Sequence, residues 1–133
     1  DSLYRVKRAE EHILLNSLPR YKQRDLRVAL LERRISEVKR LLEASAPVPD
    51  ETLAELVTLF RTMRLAPILW ETSEDATVLI ANLERYEELL FTLALEHREV
   101  YGLREVYRAS FYTREQLENT MRSTASNNTS RFP

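Results

Sequence analysis

A single glycine, Gly102, in 133 residues narrows the folds open to this chain more than any other feature. Glycine lets a backbone turn tightly and close on a phosphate, so loops of the nucleotide-binding kind are excluded. Apolar residues instead recur three and four apart over long stretches, with few strand-like alternations, and the chain is predicted to be all-α. With 44% hydrophobic and 31% charged residues it can bury a core beneath a solvated surface, and its length suits one domain. The absence of cysteine removes disulfides, thiol nucleophiles and thiolate metal sites. No apolar run reaches the ~18 residues of a membrane span, so no membrane partner is expected. The opening stretch is charged where a signal peptide has its apolar run, and the chain is expected to begin inside a longer protein.

A first helix is predicted from a cap at Asp1 or Ser2, through Val6, Ala9 and Ile13, to a stop at Pro19. A second runs over residues 24–44, where Val28, Leu31, Ile35, Val38 and Leu42 form the seam of a coiled coil or of a helical hairpin. Folding back through residues 18–22 would make the hairpin. Pro47 and Pro49 interrupt the helical path, and a boundary is placed there. Asp50 then caps a third helix with Leu53, Leu56, Val57, Phe60 and Met63 on one face. Pro67 opens a short fourth over residues 68–72, carrying Trp70, and Ser73 caps a fifth with Val78, Leu79, Ile80 and Leu83 inward. Unbroken over residues 75–110, this last helix would reach about 54 Å, so a kink is expected at residues 85–88. The expected organisation is a helical hairpin extension at 1–45, a compact helical bundle at 46–112 and a polar tail at 113–133. The end rich in Ser, Thr and Asn has too little apolar surface to offset the entropy of its own ordering.

His12 and His97 lack companions for a metal site, since Ala9 and Ala94 stand where a bundle di-metal pattern needs glutamate. Paired acids such as Glu87 with Glu88, or Glu51 with Glu55, read as solvated helix faces. No catalytic group, metal, cofactor or small-molecule substrate is therefore expected. Residues 1–45 carry 11 Lys and Arg against 7 acids, and residues 46–112 carry 6 against 12, so the two parts are expected to face different partners. The basic side chains Arg20, Lys22, Arg24, Arg27, Arg33, Arg34, Lys39 and Arg40 form an ion-pair lattice with interspersed acids, and nucleic acid is not the expected partner. Among the aromatics, Phe91, Tyr101, Tyr107, Phe111 and Tyr112 are assigned to the core by spacing. Tyr86, at the expected kink, is assigned to the surface as a binding anchor.

Over residues 51–107 the order of elements resembles the N-terminal domain family of the transcription elongation factor TFIIS, in its integrase-binding branch. The resemblance rests on Val57, Phe60, Met63 and Leu65, on the turn at residues 67–72, and on the run VLIANLERY ending in Leu83, Arg85 and Tyr86. It implies a nuclear docking module without catalysis, holding disordered peptide motifs of transcription and chromatin proteins through interhelical loops. By position the partner-binding residues would be Val48, Asp50, Tyr86 and Glu88. The alternative is a helical scaffold, a homodimer joined through the Val28 to Leu42 seam. Phe132 in the polar end is a candidate docking residue of its own.

Overall fold

The computed structural model describes residues 5–9, 11, 20–65 and 73–130, and every regular element among them is helical. They form α1 (residues 5–9), α2 (Arg20–Glu43), α3 (Asp50–Leu65), α4 (Ser73–Glu96) and α5 (Gly102–Ser130). The chain is an all-α bundle, as the three-and-four spacing predicts. His12, Pro19, the expected short helix with Trp70, and Phe132 lie outside the described residues.

Most of the seam of α2 turns inward. Leu31, Ile35, Val38 and Leu42 are buried in the same cluster as Leu56, Phe60 and Met63 of α3, and Val28 packs half-buried against it. The seam that the alternative reading assigns to a coiled-coil dimer is thus packed into the chain's own core. The same cluster takes in Leu79, Leu83 and Leu90 of α4 and Leu103 and Val106 of α5, so one core runs across the expected boundary at residue 46. Helix α5 packs against both α3 and α4, and α2 packs against α3.

Helix α2 ends by a left-handed residue. Ser45 has φ 55°, its amide donates to the Leu42 carbonyl, and the Ala46 amide reaches back to Leu41 at 2.9 Å. This is the double closure of a Schellman motif, made here with serine where glycine is the usual occupant. Pro47 and Pro49 follow and keep the path extended. Asp50 and Glu51 then sit in the first turn of α3, where carboxylates favour the positive helix end.

Two expectations are corrected. The break in the long helical run falls at residues 97–101, not 85–88, since α4 continues through Arg85 to Glu96. Gly102 opens α5 at a close approach to α3: a Cβ there would lie 2.6 Å from Leu53 Cδ1, so a larger residue has to push that methyl aside. The polar tail does not begin at Thr113 either. Thr113 is fully buried, its hydroxyl donates to the Phe60 carbonyl at 3.0 Å, and Leu117 joins the core one turn later. Arg114 adds ion pairs to Glu87 and Glu118, and α5 is continuous to Ser130. The inward stripe Leu103, Val106, Thr113 and Leu117 outweighs the polar composition around it.

Candidate docking site

Tyr86 sits inside α4, 4% exposed, and packs in the core, so its expected role as a surface anchor is corrected. Its hydroxyl donates to Glu32 Oε1 at 2.6 Å, and Arg85 Nη2 approaches the same oxygen at 3.1 Å. Burial, reinforced by the Glu32 carboxylate, pushes the phenol well above its ordinary pKa, which keeps Tyr86 neutral as a strut between α2 and α4. The other three expected residues separate. Val48 is half-buried against the core in the connection before α3, Asp50 is exposed at the start of α3, and Glu88 is exposed on α4. Only Glu88 of the four is found in the wall of a hollow described below.

The basic residues of α2 are largely spent on the fold. Arg34, 3% exposed, donates to Glu55 at 2.9 Å, to Glu11 at 2.7 Å and to Glu37 at 3.4 Å. Arg33 also holds Glu11, Arg8 of α1 holds Glu55, and Arg24 reaches Asp75 of α4. These ties fasten the N-terminal segment to α2 and α3. Desolvation lowers the pKa of the half-buried Arg27. Glu37, four residues after Arg33 on the same helix, takes the buried Arg34 as its partner instead.

An open face lies where α4 turns into α5. A hollow of about 620 Å³ is walled by Phe91, Leu95, Tyr101 and Tyr107 and rimmed by Arg98, Arg104 and Arg108. Phe91 is 47% exposed, Leu95 49% and Tyr101 87%, although spacing had placed both aromatics in the core. The reason is helical phase. Leu83, Tyr86, Leu90 and Leu93 complete the buried stripe of α4, and Phe91 and Leu95 fall on the opposite side. Val78, expected inward, is on the outer side too. The rings of Phe91 and Tyr107 pack 5.3 Å apart at 53°, which fixes the floor between the helices.

A second hollow of about 470 Å³ adjoins the first, sharing Phe91 and Tyr107 and bounded by Glu84, Glu87, Glu88 and Arg114. Arg114 is fastened to Glu87 through a direct charge-assisted hydrogen bond, which raises the pKa of its guanidinium. Between the hollows the surface is apolar, and its two ends carry opposite charge. The signal in the sequence is the pairing of surplus aromatics with Gly102: once the turn is placed there, Tyr101 must project from it.

Among the described residues no group of three or more His, Cys, Asp or Glu side chains is placed to hold a metal ion. His97 lies at the turn with Nδ1 3.5 Å from Glu99. No described helix is long and apolar enough to cross a membrane. No protein-family model, curated protein or solved structure matches the chain.

Proposed function

We propose that this chain is a non-catalytic protein–protein interaction module, which docks a short flexible segment of a partner in the groove between α4 and α5. The observation that carries the proposal is the grouping of Phe91, Leu95 and Tyr101, large apolar side chains left open around one hollow. Apolar groups clustered in a concavity gain most when another chain removes them from water, and rigid aromatics do so at low entropic cost. A segment that orders on docking spends part of this gain on its own entropy, so micromolar affinity, about 8 kcal/mol, is expected. The resemblance to the TFIIS N-terminal domain family supports a partner among nuclear transcription and chromatin proteins, although of the four residues it implied only Glu88 borders the groove.

Affinity purification with the wild-type chain, with Leu95→Ala/Tyr101→Ala and with Tyr112→Ala tests this role. Tyr112 is an exposed aromatic outside the groove and serves as the control. Partners should be lost by the double variant and kept by the control. Equal recovery by all three would reject the groove.

A further inference from the structure

We infer that the segment seated in this groove is amphipathic with separated charges, its acidic end beside the α4–α5 turn and its basic end beside Glu84 and Glu88. This inference rests on the docking role proposed above and specifies the chemistry of the partner. At the turn end, Arg98 and Arg104 line the hollow without an ion pair to any described residue, and Arg108 has Glu105 only at 3.8 Å on the exposed surface. At the far end Glu84 and Glu88 are exposed and likewise carry no ion pair among the described residues, whereas Glu87 is taken by Arg114. Phe91 and Tyr107 form the apolar middle.

From Glu84 to Glu96, the last residue of α4, the helix rises about 18 Å, so a groove that continues into the turn takes roughly 12 to 14 residues of a helical segment or about six of an extended one. An acidic end beside the arginines and a basic end beside the glutamates relieve like-charge crowding at both places. A uniformly acidic segment meets Glu84 and Glu88, and a uniformly basic one meets the arginines. The order of charge along the partner therefore discriminates, while the apolar middle supplies most of the attraction. A second copy of this chain carries the same charge order along its own groove, from Glu84 and Glu88 on α4 to Arg98 in the turn and Arg104 on α5. Two copies related by a two-fold axis, however, would lay hollow against hollow and fill neither, whereas a single convex segment fills both.

The test uses synthetic fluorescent peptides of about 14 residues, each with the same Leu and Phe middle, read by anisotropy against the full chain. One has acids at one end and bases at the other, one has the same residues with charges interleaved, and one is acidic at both ends. The charge-separated peptide should bind roughly tenfold tighter than either other at low salt, with the advantage shrinking as ionic strength rises. Glu84→Lys/Glu88→Lys should transfer the preference to the doubly acidic peptide. If the peptides bind equally and Leu95→Ala/Tyr101→Ala abolishes binding, the charge order is wrong and the docking role survives. If no peptide binds, or binding ignores Leu95→Ala/Tyr101→Ala, both fail. A dilute-solution mass of twice 15.7 kDa that Arg104→Glu returns to the monomer would assign the groove to a second copy and overturn the inference.

Discussion

Replacing Arg34 with methionine should lower stability by about 3 kcal/mol. The guanidinium is 3% exposed and joins carboxylates from three places in the chain, with two short bonds of 2.7 Å and 2.9 Å and one longer bond of 3.4 Å. Each well-formed hydrogen bond between charged groups contributes about 1.5–3 kcal/mol, so the two short ones set a range of roughly 3–6. The loss falls at the low end of that range, because Glu11 keeps Arg33 and Glu55 keeps Arg8. Methionine retains most of the apolar stem packing, so the effect isolates the charge. In urea unfolding followed by far-UV circular dichroism, a slope near 2 kcal/mol/M places the midpoint roughly 1.5 M lower. Arg34→Lys should lose about half as much, since an ammonium cannot present the planar fork that meets Glu11 and Glu55 together. Adding Glu55→Gln to Arg34→Met should cost less than the sum of the two changes by about 1 kcal/mol, because the variant no longer leaves a buried carboxylate short of a partner. A loss below about 0.5 kcal/mol, or strict additivity of the pair, would refute the role of Arg34 as the hub that fastens the N-terminal segment.

Three further outcomes are expected. Tyr86→Phe should cost about 1 kcal/mol at neutral pH through the lost bond to Glu32. The raised phenol pKa stabilises the fold below the ordinary tyrosine value of 10.0 and is lost above it, so the gap between variant and wild type should close as alkaline unfolding is measured through that region. Ser45→Gly should raise the thermal midpoint, gaining up to about 1 kcal/mol because glycine tolerates the left-handed backbone that serine holds under strain. Gly102→Ala should shift stability downward by no more than about 1 kcal/mol, since Leu53 Cδ1 can move aside and the better helix former offsets part of the crowding, whereas Gly102→Val should cost clearly more by chemical denaturation.

The fold was legible where burial follows simple periodicity. Leu31, Ile35, Val38 and Leu42 on α2, and Leu53, Leu56, Phe60 and Met63 on α3, are buried as their spacing predicts. The candidate site was not legible, because it depends on helical phase and on where a long helix breaks. Arg85 to Glu88 are adequate helix formers and give no reason to stop, so α4 passes through them and carries Tyr86 inward. The break is followed by a close approach of Gly102 to Leu53, a tertiary fact that only the lone glycine hints at. Moving the break from residues 85–88 to 97–101 exchanges the fates of the aromatics, burying Tyr86 and exposing Phe91 and Tyr101. Composition misread the C-terminal segment for a related reason: Thr113 and Leu117, one turn apart, together with the Arg114 to Glu87 ion pair, anchor a stretch of helix whose other residues are mostly polar.

The most direct test of the docking groove is to titrate the isotopically labelled chain with the charge-separated peptide and map the perturbed side-chain resonances. Phe91, Leu95, Tyr101 and Tyr107 should shift together and saturate with one peptide per chain, leaving Val48 and Asp50 unmoved. Shifts confined to Val48 and Asp50, or spread without saturation, would contradict the groove as the place where partners bind.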